Sequence, residues 1–307
     1  MVLRVGTDCS GIEAPIQALK NLKIPFKHVF ACEKDKFARK SIEANYNPEI
    51  LYEDITTRNH KELPDIDLYV CGFPCQSFSL AGKQKGMDDP RGLIMNHCID
   101  VIKYKQPSLF VLENVKNFKH IDKGEAFKYL MGKLEALGTY NIYHDVYNTK
   151  DYGIPQNRER IYIMGVLKSK QKKEYKKPNP CKCKPIKDFI LDTTICNREL
   201  PNYIKQRVEK VRDKIDMSKY IHIFSTLSGD KLLSDFTIPS IKSSGKHFIL
   251  NYKRYLMALE GLLIQGFPKS FKQDVSETQL YKQAGNAMSV NVVQVILKNL
   301  LNMIEYF

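Results

Sequence analysis

Short apolar runs alternate with amphipathic stretches through the first half of the chain, and the alternation predicts strands followed by covering helices. Leu3-Arg4-Val5-Gly6-Thr7 reads as a first strand, and the turn from Asp8 to Pro15 feeds a helix over Ile16 to Leu22. Phe26 to Cys32 is a second strand ending at Glu33, and Phe37 to Asn45 a second helix. A strand end is expected at Asp54, and Ile66 to Cys71 is a buried strand broken by Gly72-Phe73-Pro74. Asn96 to Tyr104 is helical, and Ser108 to Leu112 is a strand ending at Glu113-Asn114-Val115. Phe127 to Leu137 is amphipathic, with Leu130, Leu134 and Leu137 on one face, and strands over Ile142 to Tyr147 and Arg160 to Val166 follow. The fold class expected from this order is α/β, a parallel sheet with helices on both faces.

The pattern weakens at Lys168. Lys168 to Lys187 is dense in lysine and contains three prolines, which predicts a linker or an exposed basic loop. Beyond it the periodicity is poor to about Leu250, so a second, smaller domain is expected over 167–283. A catalytic domain over 1–166 would be completed by a C-terminal helix within 284–307, where Val290 to Ile304 is apolar at helical spacing. No internal repeat is visible.

Composition narrows the partner. The chain of 307 residues carries 48 Lys and Arg against 34 Asp and Glu, a formal charge of +14 that favours a polyanion. A lysine-rich surface arising from biased codon usage would show the same excess. No basic-then-apolar leader and no apolar run of membrane length is present, so a soluble cytoplasmic protein with no membrane association is expected. Eight irregularly spaced cysteines read as reduced thiols. Cys181-Lys182-Cys183 with Cys196 fits no standard zinc spacing, and no metal is expected.

The candidate chemistry sits at strand ends. Cys75 stands in a Gly-Phe-Pro-Cys-Gln-Ser loop just past a strand, where a thiol can be held as a reactive thiolate, whereas Cys71 lies within the strand as an inert apolar residue. Glu113 ends another strand. Arg158 and Arg160, in Gln156-Asn157-Arg158-Glu159-Arg160, would share one face of an extended segment. Glu33 lies about 20 residues after the Gly11 turn, where an acid meets ribose hydroxyls in doubly wound folds. Only Gly11 stands in that turn, so the dinucleotide fingerprint GxGxxG is not matched.

Gly-Phe-Pro-Cys-Gln-Ser-Phe-Ser (72–79), Glu-Asn-Val (113–115), Gln-Asn-Arg-Glu-Arg (156–160) and Gln-Ala-Gly-Asn-Ala (283–287) together resemble the DNA cytosine-5 methyltransferase family, with every landmark in that family's order. Arg254 to Glu260 with Gln265-Gly266-Phe267-Pro268 resembles its penultimate motif, and Ser240-Ile241 the element that ends its target-recognition region. The resemblance implies a Rossmann-like S-adenosylmethionine-dependent methyltransferase sheet plus a smaller target-recognition domain. Implied catalytic residues are Cys75, Glu113, Arg158 and Arg160, with Arg160 nearer the base and Arg158 supporting it. Cofactor contacts are implied for Cys9, Ser10, Gly11, Ile12, Glu33, Lys34, Asp54, Ile55, Pro74, Asn286 and Ala287, and DNA contacts for Gln76, Ser77, Ser79, Lys83, Gln156, Ser240 and Ile241. In the first motif Cys9 takes the place of an aromatic residue and Glu13-Ala14 that of a glycine pair.

The implied reaction is methyl transfer from S-adenosylmethionine to carbon 5 of cytosine in a specific duplex DNA sequence, through base flipping and a cysteine adduct at carbon 6, with S-adenosylhomocysteine as product. Double-stranded DNA is the implied partner, a cognate restriction endonuclease a candidate one, and a monomer the expected state. Three other readings fit parts of the sequence. Relatives acting on transfer RNA carry a Cys-Phe-Thr element that is absent here. A DNA-binding protein without catalysis would explain the altered first turn, and a dinucleotide oxidoreductase would explain the sheet but not the Pro-Cys loop.

Overall fold

The strands β1 (Leu3–Asp8), β2 (Phe26–Cys32), β4 (Leu68–Cys71), β5 (Leu109–Val115), β6 (Tyr140–Asn148) and β8 (Glu159–Leu167) fall where the apolar runs predict them, while β3 (Leu51–Tyr52) and β7 (Gln156–Asn157) are two-residue strands that no apolar run marks. Between them run α1 (Ala14–Asn21), α2 (Lys36–Asn45), α3 (Leu93–Lys105) and α4 (Glu125–Glu135). The computed structural model describes residues 2–74, 93–197, 199–219, 221–225 and 237–306. They form two compact units, one of 1–147, 159–179 and 292–307, the other of 148–158 and 180–291.

In the first unit a seven-stranded sheet has the order β3-β2-β1-β4-β5-β8-β6. β1 pairs in parallel with β2 and with β4, β4 pairs in parallel with β5, and β8 returns antiparallel to β5. The register sets Asp8 level with Cys32 on one side and Cys71 on the other, and Cys71 level with Leu112. β1, β2 and β4 therefore end in one row, and β5 runs on past it to Val115. The order reverses direction between β1 and β4, which opens a crevice at their carboxyl ends, the ligand position in such sheets.

Both faces of the sheet are covered. Phe30, Tyr69, Phe110, Leu112 and Ile163 pack against Cys98, Ile102, Leu130 and Leu134 of α3 and α4. The alternate strand positions Val5, Leu68, Val70, Val111 and Met164 are buried as deeply. Asp35 caps α2 by accepting from the amides of Phe37 (2.8 Å) and Ala38 (3.3 Å). The helix α8 (Val290–Met303) is apolar at helical spacing as expected.

The lysine-rich stretch after Lys168 departs from a free linker. Tyr175 stacks on Tyr143 at 4.8 Å and bonds to Tyr147 (2.8 Å) and Asp145 (2.7 Å) of β6, while the Lys172 amide reaches the Met303 carbonyl. Its lysines stay in solvent while its aromatic residue anchors it.

The second unit contains α5 (Asn202–Lys210), β9 (Ile223–Ser225), β10 (Ile238–Pro239), β11 (His247–Ile249), β12 (Arg254–Tyr255), α6 (Ala258–Ile264) and α7 (Glu277–Asn286). β9, β11 and β12 form a small antiparallel sheet over a core of Ile204, Phe224, Phe248 and Leu250. Among the described residues no helix is long and apolar enough to cross a membrane.

Candidate active site

The turn after β1 is held by an unusual backbone. Cys9, Gly11 and Glu13 have φ of 47°, 58° and 61°, so every second residue is left-handed. Glycine adopts this freely, whereas the two side chains need surroundings that impose it. A Cβ at Gly11 would meet nothing within 4 Å, so the turn presents an open backbone face there. The Gly11 amide donates to Glu33 Oε2 (2.7 Å) and the Asp35 amide to Glu33 Oε1 (2.9 Å), which fixes the carboxylate at the end of β2. Burial pushes the Glu33 carboxyl up, against those two amides. Ser10 donates to the Cys32 carbonyl (3.1 Å), and Ile12 is fully buried.

Asp54 accepts from the exposed Lys34 ammonium (2.8 Å) and from the amide and hydroxyl of Thr56 (2.9 and 2.8 Å). The Lys34 partner holds its carboxyl down at about 2, against partial burial. Ile55 beside it is buried. Gly11, Glu33, Asp54 and Ile55 thus follow the ends of β1, β2 and β3.

Across the switch point, β4 leads through Gly72 and buried Phe73 to exposed Pro74. Asn114 Nδ2 donates to the Phe73 carbonyl (3.1 Å), and the Phe73 ring meets Phe118 edge-on at 5.4 Å. The exit of β4 is therefore tied to β5 just before the Pro-Cys loop. Cys75, Gln76, Ser77, Ser79 and Lys83 lie outside the described residues. Glu113 sits inside β5 opposite Tyr162, and Arg160 Nε lies 3.2 Å from Glu113 Oε1 with both groups largely buried.

Arg158 corrects the sequence reading. Sequence alternation places it on one face with Arg160, but its amide folds back to the Gln156 carbonyl (3.0 Å), which breaks the extended alternation between β7 and β8. Its guanidinium lies within the second unit, donating to Ser240 Oγ (2.9 Å) and to the carbonyls of Ile241 (3.1 Å), Gly285 (3.2 Å) and Ala287 (2.7 Å). Gln156 accepts from the Ile241 amide (2.9 Å) and donates to the Ile264 carbonyl (3.0 Å). Gln156 and Ile241 are fully buried, so the DNA contacts expected of them are not available as they stand. Gly285 is required by close approach, since a Cβ there would lie 2.2 Å from the Lys242–Ser243 backbone. Asn286 is exposed at the end of α7, next to buried Ala287.

Arg158→Ala would remove a donor shared by one hydroxyl and three carbonyls, so we expect a loss of roughly 3 kcal/mol or more, read as a lowered denaturant midpoint. Arg158→Lys should not restore it, because an ammonium cannot span four acceptors as a planar fork does.

Three arrangements carried no signal in the sequence. Asp8 is paired with buried Arg58 and accepts from the Tyr69 hydroxyl (2.6 Å), and Arg58 lies 5.1 Å from the rings of both Phe30 and Tyr52. Thr7, Glu13 and His28 form a buried polar cluster beneath the turn. Asn114 ties two strand ends together through the Phe73 carbonyl. Among the described residues no group of three or more His, Cys, Asp or Glu side chains is arranged to hold a metal ion.

Residues 8–302 match the family described as C-5 cytosine-specific DNA methylase. The chain is 34% identical over 291 residues to the Type II methyltransferase M1.ScrFI of Lactococcus lactis subsp. cremoris, covering 91% of this chain and 73% of that protein. It is 34% identical over 281 residues to the Type II methyltransferase M.HaeII of Haemophilus aegyptius, covering 90% and 86%. The fold is similar to that of the Entamoeba histolytica methyltransferase EhMeth, with a TM-score of 0.73, 22% identity and 98% of each chain covered.

Proposed function

The chain belongs to the C-5 cytosine-specific DNA methylase family and is a DNA cytosine-5 methyltransferase of the restriction-modification type; on that premise we propose that it flips a cytosine out of one specific duplex sequence and attacks it with Cys75. The observation that carries the reading is the row of strand ends at the switch point. The Gly11–Glu33 face stands on one side of it and the Glu113–Arg160 pair, with the tied exit of β4, on the other.

The residues at the first face suit the family's cofactor. The open Gly11 backbone admits close approach, the fixed Glu33 carboxylate can accept from ribose hydroxyls, and Asp54 and Ile55 offer a polar and an apolar neighbour to adenine. Bound S-adenosylmethionine supplies an electrophilic methyl group to this site.

Cytosine carbon 5 is inaccessible within the stack, so the base leaves the helix before reaction. The Cys75 thiolate adds to carbon 6 and pushes electron density toward carbon 5. Glu113 donates to ring nitrogen 3, offsetting the charge that develops there, and Arg160 fixes the carboxyl in place and reaches the carbonyl side of the base. After methylation, a base takes the proton from carbon 5, and the Cys75–carbon 6 bond breaks to restore the ring and the thiolate. The buried Arg158 and Gln156 brace the second unit, whose variable stretch from about 188 to 250 reads the DNA sequence.

Labelled S-adenosylmethionine with unmethylated duplex DNA, followed by mapping of modified bases, tests this. We expect methyl groups on carbon 5 of cytosine within one short motif. Label confined to total RNA would overturn the DNA assignment.

A further inference from the structure

The left-handed turn after β1 is clamped by a buried acid at its C-terminal end. Glu13 is fully buried, and Thr7 of β1 donates to its Oε1 at 2.8 Å. His28 Nε2 of β2 lies 3.2 Å from the same Thr7 hydroxyl and 3.8 Å from Glu13 Oε1. The Ser10 hydroxyl bears on this carboxyl as well, and the Glu13 amide donates to the Ser10 carbonyl (3.0 Å). Glu13 also opens α1, its carbonyl accepting from the Gln17 amide (3.0 Å). A left-handed glutamate persists only where its surroundings dictate it, and these contacts from two strands do so.

We infer that Glu13 is a positioning residue for the cofactor turn, its buried carboxyl clamping the Ser10–Gly11 backbone to β1 and β2 so that the Gly11 amide and the Glu33 carboxylate stand ready for S-adenosylmethionine. The inference rests on the reading of this turn as the cofactor face. It adds a residue that does not itself touch the cofactor.

The clamp is pH-dependent. Burial pushes the Glu13 carboxyl up to about 8, opposed by Thr7 and Ser10, and burial together with Lys20 pushes His28 down to about 4. Between those values the pair carries one proton and no net charge. The other groups facing Glu13 are Glu33, Asp8 (itself paired with Arg58) and the Tyr46 phenol. Both carboxylates disfavour a further negative charge. The folded state holds a Glu13 proton that an unfolded chain releases near 4.5, so the clamp is present at neutral pH and is lost as pH rises through about 8.

The test is calorimetric binding of S-adenosylhomocysteine to the full chain without DNA, at pH 7 and pH 9. Wild type is compared with Glu13→Gln, which keeps a neutral side chain of the same shape, and with Glu13→Ala. Wild type should bind about tenfold more weakly at pH 9 than at pH 7, because only the protonated fraction is competent. Glu13→Gln should bind as wild type at pH 7 and lack that decline. The ligand's own amino group titrates identically in all three proteins, so the difference between wild type and Glu13→Gln isolates Glu13. Glu13→Ala should weaken binding by roughly tenfold at both pH values, with the loss appearing in KM for the cofactor and not in kcat.

The ligand-free melting temperature should also fall as pH rises from about 4.5 to about 8 in wild type, a decline that Glu13→Gln should lack. An equal alkaline decline in both proteins, or a Glu13→Ala variant that binds as wild type, would overturn the inference. A folded wild type that fails to bind S-adenosylhomocysteine at either pH would overturn the cofactor reading, and this inference with it.

Discussion

Cys75→Ser should lower methyl transfer by roughly 10⁴-fold or more, with S-adenosylhomocysteine and DNA still bound. A thiol is a few per cent thiolate at neutral pH and more where backbone amides and nearby cations favour it, whereas a serine hydroxyl ionises far above that range. The position matters as much as the element. Register places Cys71 level with Asp8 and Leu112, and the Asn114 bond to the Phe73 carbonyl delivers the chain to Pro74 beside the strand that carries Glu113. Cys71, the thiol within β4, is fully buried and is pushed well up by that burial. Single-turnover transfer to a duplex carrying the mapped motif measures the loss. Retention of more than a few per cent of wild-type rate would remove Cys75 from the reaction.

The second large effect is expected from Glu113→Gln, a loss of roughly 10²- to 10⁴-fold in the rate of the chemical step. Glutamine keeps the size and can still accept from Arg160, but it cannot pass a proton toward ring nitrogen 3. Cofactor and DNA affinity should change little, because the gain belongs to the transition state and not to the bound ground state. The Glu113–Arg160 contact at 3.2 Å holds the carboxyl along the edge of β5, so Arg160→Ala should produce a smaller loss of the same kind. A Glu113→Gln variant with normal single-turnover rate and weakened DNA binding would show that the acid is a binding residue.

The alternation of apolar runs and amphipathic stretches gave the strands and helices of the first unit because it reports which faces are buried. The ends of those strands follow from it, and with them Gly11, Glu33, Asp54, Pro74 and Glu113 on one edge. Partner choice is a different matter. Asp8 and Tyr69 are 61 positions apart and meet through the parallel pairing of β1 with β4, and Arg58 reaches Asp8 from the segment between β3 and β4. Periodicity carries no record of that pairing. Arg158 shows the same limit at short range, since a single carbonyl at Gln156 turns its backbone out of the extended pattern and commits its guanidinium to four acceptors. Glu13 stands in a turn and is polar, which in sequence reads as exposure, yet it is fully buried by contacts from β1 and β2. Tyr175 likewise anchors a lysine-rich segment that composition alone assigns to solvent.

Covalent trapping tests the central claim most directly. Duplex DNA with 5-fluorocytosine at the mapped target position, incubated with the chain and S-adenosylmethionine, should stall after methylation because fluorine cannot leave carbon 5 as a proton does. The predicted result is a stable protein–DNA adduct that requires S-adenosylmethionine, is absent in Cys75→Ser, and yields on digestion a nucleotide-bearing peptide modified at Cys75. Methylation of ordinary cytosine without any adduct on the fluorinated duplex, or an adduct at another residue, would contradict attack by Cys75.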